Sequence, residues 1–320
     1  MTPVANVLFR LPFDVAFRSF DGEPLVLEGR DCRFVLYRSA DGIQEPMMTL
    51  ADGEREWAAS TVGVELPCAF DAAFDEGRIE QSALAAARSF LDLVRWKTNQ
   101  PQINVDEVRE PSSVQFFDAE QLDRSRPLGA EVRVVVRTIV GGALIASPTG
   151  SVMHLHCRVT GFGGALAVAQ RQEVLDAFEA GVRVPLWNDY MLSAQAHPTL
   201  ERKVMDLGIA AEVFIKQWTE HGQPGYSPPS APRGSPRKGM PERYYLEAVR
   251  ALKRRDISSE RPSQYAQLQD LYRARNGVAH AGCADFDSVV TGTHRTADAN
   301  DFITFLGALR DAITWVESIS

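Results

Sequence analysis

The stretch SQYAQLQDLYRARNGVAHA, residues 263–281, decides how the second half of this 320-residue chain is read. Tyr265, Leu268, Leu271, Tyr272, Val278 and Ala279 recur close to the 3.6-residue period of an amphipathic helix, so one stripe of the segment faces a core. Arg275 falls on or beside that stripe, and Gly282, just past the last turn, reads as a helix stop. Within the helix, Arg275-Asn276-Gly277-Val278-Ala279-His280 sets a permanent cation, an amide and an imidazole within a turn and a half. Asn276 and His280 are four apart and share a face, whereas Arg275 and His280 are five apart and diverge by roughly 140° on an ideal helix. Gly277 weakens a helix interior by up to about 1 kcal/mol relative to alanine. A kink there is one way to bring Arg275 and His280 together, and a second subunit is the other.

The same period continues outward on both sides. Asp298 or Asn300 can cap a helix carrying Phe302, Phe305, Leu306, Leu309, Ala312, Ile313 and Val316. Upstream, Leu200, Val204, Leu207, Ala211, Phe214 and Trp218 trace a long helix, preceded by a shorter one from Trp187 to Ala196. Tyr245, Leu246, Val249 and Leu252 mark another over about Pro241 to Arg254. Residues 184–320 are therefore expected to form an all-α bundle of four or five helices. Between 222 and 241 lie six Pro, four Gly and three Ser in twenty residues, the composition of a flexible insertion.

A bundle of this size, with Arg-Asn-x-x-x-His ending its penultimate helix and an amphipathic helix after it, resembles a HEPN domain. Leu271, Tyr272, Arg275, Asn276, His280 and, one residue displaced, Gly282 carry the resemblance, which covers residues 184–320. Ala210-Ala211-Glu212-Val213-Phe214-Ile215 also resembles the Ala-rich, Glu-containing helix of bacterial members. The resemblance implies metal-independent RNA cleavage without a cofactor, by two domains paired as a homodimer with their motifs facing one cleft. On that basis Arg275 would stabilise the scissile phosphate, His280 would act as general base or acid at the ribose 2′-hydroxyl or leaving oxygen, and Asn276 would orient a phosphate or the imidazole. Glu212 and Tyr272 would support them, Glu212 as the partner of a buried Arg275, because an unpaired buried charge is costly. The residue chemistry suits these roles: histidine titrates near neutrality, and guanidinium offers forked donors to charge building on phosphorus. A different role for the same residues is to cap the last carbonyls of the helix, where cations are favoured.

Charge is unevenly spread. The formal net is −8, yet residues 233–280 hold eleven basic side chains against five acidic ones, leaving +6 there and −14 elsewhere. Arg250, Lys253, Arg254 and Arg273 are the cations expected to approach RNA. A solvated helix face with a tethered basic loop accounts equally for that balance.

The first half has a different rhythm. Val7–Phe20, Arg33–Tyr37, Glu131–Val140 and Ser151–Val159 are alternating or β-branched, with turn signals at Asp21-Gly22, Asp41-Gly42 and Gly141-Gly142. Helices are expected over about Arg78–Thr98 and Gln170–Gly181. Residues 1–183 thus read as an antiparallel α+β domain, and the whole chain as α+β. His154 and His156 share one strand face with the spacing of two metal ligands, but no third ligand is evident. Gly161-Phe162-Gly163-Gly164 lacks dinucleotide-loop spacing.

No apolar run approaches the ~20 residues of a membrane span, and Arg10, Asp14 and Arg18 argue against a secretory signal. Cys32, Cys68, Cys157 and Cys283 form no CxxC pair, which fits a reducing, cytoplasmic location. Two functions remain open. One is a cytoplasmic endoribonuclease of toxin or defence type, restrained by an N-terminal domain that answers to a protein or small-molecule trigger. The other is a non-catalytic dimerisation and binding module.

Overall fold

A computed structural model of the chain describes residues 3–19, 24–38, 48–49, 55–67, 75–118, 139–140, 143–144, 164–226 and 239–319. The chain divides into two compact units, Met1–Arg183 and Val184–Ser320. The first is built on an antiparallel sheet and the second is mostly helical, so the chain is α+β.

In the first unit, β1 (Pro3–Ser19), β2 (Leu25–Glu28), β3 (Arg33–Arg38), β4 (Met48–Thr49), β5 (Arg55–Pro67) and β6 (Ser113–Asp118) form one sheet of order β2-β3-β5-β1-β6, with β4 on β5. Helix α1 (Glu76–Thr98) covers one face, with α2 (Val168–Glu179) against it. Phe34 marks this core, stacked on Phe90 of α1 at 4.2 Å and edge-on to Phe178 of α2 at 4.9 Å. Beyond Leu8, where β6 stops pairing with β1, Gln100 takes over part of the open edge. Its amide accepts from the Ala16 N–H at 2.8 Å and donates to the Ala16 carbonyl at 3.0 Å. The sequence pattern misses β5, although β5 is the central strand. It is buried on both faces and carries Ala58, Ala59 and Gly63, so it shows no alternation. Of the pattern over 131–140, only Ile139–Val140 is described, as a short strand paired with Ala143–Leu144. The expected strand over 151–159, with His154 and His156, lies outside the described residues, as do Cys68, Cys157, the Gly161–Gly163 turn and all three expected turn dipeptides.

In the second unit, α3 (Leu186–Ala196) packs on α4 (Leu200–Gly222), and α7 (Pro262–Ala281) lies against both α4 and α8 (Ala299–Ser318). Between α4 and α7 run α5, which is π-wound over Pro241–Ala248 and α-helical over Val249–Lys253, and the short α6 (Ile257–Glu260). Val204, Leu207, Ala211, Leu268, Leu271, Phe305, Leu309 and Val316 are buried, the apolar stripes that the 3.6-residue period marks. Gly282 ends α7 at φ +74, its N–H reaching the Val278 carbonyl at 3.0 Å, and Asp298 caps α8 through the N–H groups of Asn300 and Asp301. Residues 227–238 of the Pro-rich insertion lie outside the described residues.

Two expectations for this unit need correction. It is not all-α, because a hairpin of β7 (Asp285–Asp287) and β8 (His294–Thr296) stands between α7 and α8. Nor does Gly277 kink its helix, since α7 is one unbroken α-helix across it. A Cβ at Gly277 would stand 2.9 Å from the Cys283 carbonyl oxygen and closer still to that of Asp285, so glycine lets the hairpin backbone lie on the helix. Asp270, about two turns earlier and 3 % exposed, holds the hairpin's far end. It accepts from Ser288 Oγ at 2.6 Å and from the Val289 N–H. Among the described residues, no helix is long and apolar enough to cross a membrane.

Candidate functional site

Arg275 is placed by two neighbours on α4. Its aliphatic stem lies over Gly208, where a Cβ would stand 2.6 Å from Arg275 Cγ and 3.0 Å from its Cβ. One turn along, Glu212 Oε2 faces its guanidinium at 3.6 Å. The i, i+4 spacing of Gly208 and Glu212 puts the gap and the carboxylate on one face of α4, so that helix both admits and orients the cation. Both charged side chains are 27 % exposed, enough for ligand access and too buried for free rotation. Glu212 is also ion-paired with Lys216. Arg275 Nη1 donates to Asn276 Oδ1 at 3.2 Å, while its Nε is buried without a partner among the described residues.

These groups line a cleft of about 540 Å³ between α4, α5 and α7. From α7 come Tyr272, Arg273, Arg275 and Asn276; from α4, Glu212 and Lys216. Glu242, Arg243 and Tyr244 of the π-wound turn and Gln269 close it. Four cations face two carboxylates, so the lining favours an anion. The Tyr272 hydroxyl is buried without a partner among the described residues, and desolvation, with Tyr245 and Glu212 nearby, raises its pKa well above the ordinary phenol value. Arg243 Nε is likewise buried and unpartnered among the described residues. Buried donors without acceptors cost about 1–3 kcal/mol each, a penalty that an anionic ligand would relieve. Tyr245, behind this wall, is satisfied: its hydroxyl donates to the Ala211 carbonyl at 2.8 Å.

The expected site residues separate into two groups. Arg275, Asn276, Glu212, Tyr272 and Arg273 come together at the cleft. His280 is not part of its lining; it is exposed at the end of α7 and makes no hydrogen bond or ion pair among the described residues. The five-residue spacing on an unkinked helix accounts for this separation. Arg250, Lys253 and Arg254 do not line the cleft either. Arg250 is ion-paired with Asp256, and Arg254 ends α5 in the left-handed conformation at φ 56. Arg273 donates to the Asp287 carbonyl at 2.6 Å, which ties the cleft edge to the hairpin.

Sequence reasoning missed Lys216, Arg243, Tyr244, Glu242 and Gln269. Lys216 had a local signal, four residues after Glu212 on the same helix face. Glu242, Arg243 and Tyr244 depend on the π-winding of α5, which adds about a residue per turn and which no periodicity announces, and Gln269 of α7 is a polar helix residue that nothing local singles out. Cys283, half-buried beside the motif, donates to Asp285 Oδ2 at 3.2 Å; buried Cys32, in the first unit, has its thiol pushed up to about 11 by desolvation, Asp31 and Glu179.

Comparison with protein-family models, curated proteins and solved structures finds no match to this chain.

Proposed function

We propose that the second unit is a HEPN-like, metal-independent endoribonuclease that acts as a pair of copies. The observation that carries this reading is one helix presenting Arg275 and Asn276 to a cation-rich cleft, with an unengaged His280 exposed at its end. In the reaction, Arg275 and Arg243 hold the non-bridging oxygens of an RNA phosphodiester, and the adjacent ribose 2′-hydroxyl attacks phosphorus. His280 removes the hydroxyl proton or returns one to the 5′-oxygen as the P–O bond breaks, leaving a 2′,3′-cyclic phosphate and a 5′-hydroxyl. Glu212 fixes the guanidinium, and Gly208 makes room for its stem.

His280 lies outside the cleft of its own chain, so it serves the Arg275 of a second copy, and that copy's His280 serves the first. Pairing, and not a bend at Gly277, then completes the reacting set. A role in toxicity or defence, with the first unit as restraint, follows by analogy with the family alone. RNA incubated with the protein in EDTA should yield cyclic-phosphate ends; a His280→Ala variant with undiminished activity would sink the proposal.

A second reading rests on the same separation of His280 from the cleft. Here the bundle binds an anion and catalyses nothing, with Arg275 held by Glu212 as a binding group. The two part on the product: binding without chain cleavage supports the second, and cyclic-phosphate ends exclude it.

A further inference from the structure

The cleft holds more than a phosphate requires. The cavity is about 540 Å³, within the range of small-ligand sites, and an aromatic ring stands in its wall. Tyr244 is half-buried, with Lys216 Nζ 6.0 Å and Arg243 Cζ 5.9 Å from its ring centroid. Both cations are at the outer limit of a cation–aromatic contact, so neither packs tightly on the ring. Beside it, Gln269 donates to Glu242 Oε1 at 2.7 Å, an amide and carboxylate with further acceptor and donor groups to offer a heterocycle's edge. In the same lining, the Tyr272 hydroxyl and the Nε atoms of Arg243 and Arg275 are buried polar groups without partners among the described residues.

We infer that this cleft is a nucleotide-unit site, with the phosphate held by Arg275 and Arg243 and the nucleobase stacked on Tyr244. Cations and an aromatic face at one cavity match the two ends of a nucleotide, an anion and a flat π-system, whereas an acidic peptide would leave the ring without a counterpart. Tyr244 is thus a binding residue contributed by the π-wound turn of α5, next to Arg243 in the chain. The inference deepens the reading of the cleft as a phosphodiester site, but it concerns affinity and is measured apart from cleavage.

The test is calorimetric titration of the full chain carrying His280→Ala, with ribose 5-phosphate, adenosine 5′-monophosphate and a five-nucleotide RNA. Adenosine monophosphate should bind more tightly than ribose 5-phosphate. Tyr244→Ala should erase that preference, a loss of about 5-fold or more if stacking has its usual strength, while leaving ribose 5-phosphate unaffected. Tyr244→Phe should retain it. A pentanucleotide that binds more tightly than the monophosphate, with the same Tyr244 dependence, identifies a strand as the ligand; equal affinities identify a free nucleotide. Equal binding of ribose 5-phosphate and adenosine monophosphate, no binding of either, or equal weakening of both by Tyr244→Ala overturns the inference. Cleavage is not involved, so these outcomes stand whether or not the protein cuts RNA.

Discussion

Gly277→Ala separates two explanations of a glycine inside the motif by the sign of its effect. An unconstrained helix interior would gain up to about 1 kcal/mol from alanine. At Gly277 the new methyl meets the backbone carbonyls of Cys283 and Asp285, the first at 2.9 Å, and backbone held by a hairpin cannot swing aside as a side chain would. Overpacking of this kind typically costs about 1–3 kcal/mol. With the full propensity gain subtracted, the net should be a loss of up to about 2 kcal/mol, or a Tm lower by up to roughly 8 °C for a unit of this size. The assay is thermal and urea unfolding of the full chain followed by near-ultraviolet signals, with limited proteolysis reporting on residues 283–297. Lower stability together with faster cleavage in that hairpin is the expected result. A variant more stable than the parent would refute the packing account and make Gly277 an ordinary weak point in the helix.

Three further effects follow from the same contacts. Asp270→Ala leaves the Val289 N–H and the Ser288 hydroxyl without their acceptor and should cost roughly 3 kcal/mol, read by urea unfolding. Gly208→Ala displaces the Arg275 stem; binding of ribose 5-phosphate should fall several-fold while helical content stays constant, and unchanged affinity would show that α4 does not position the guanidinium. Glu260, hydrogen-bonded by Arg255, the Trp315 indole and the Asp256 N–H, has its carboxyl pulled down to about 2 from an ordinary 4.5. A depressed folded-state value means stability present above pH 4.5 and lost as pH falls from there toward 2; Glu260→Gln should flatten that part of a pH–stability profile.

How far the sequence carries depends on where each element gets its stability. Helices α4, α7 and α8 bury one stripe each, so Leu268, Leu271, Phe305 and Leu309 announce them, and Gly282 and Asp298 mark ends by local backbone chemistry. Strand β5 is silent because a central strand is buried on both faces. The β7–β8 hairpin is silent for another reason: its three-residue strands hold only Phe286 as buried apolar content, and the anchor is Asp270, fifteen residues before β7. At the site, the Glu212–Arg275 pair was legible from the cost of burying a charge, and the divergence of His280 from its spacing. The cleft itself was not legible, because Lys216, Arg243, Tyr244 and Gln269 come from three elements and meet only in the folded unit.

The central claim, that Arg275 of one copy works with His280 of another, is tested most directly by complementation. End-labelled RNA is incubated in EDTA with the wild-type chain, with Arg275→Ala, with His280→Ala, and with the two variants co-expressed and purified as a mixed assembly. Each variant alone lacks one half of every composite site, whereas the mixed assembly keeps one intact pairing of Arg275 and His280. The prediction is cyclic-phosphate ends from the wild type, none from either variant alone, and activity restored in part by the mixture. A wild type that cuts while the mixed assembly stays as inactive as its components would contradict the shared site, and a wild type that leaves RNA intact would contradict catalysis altogether.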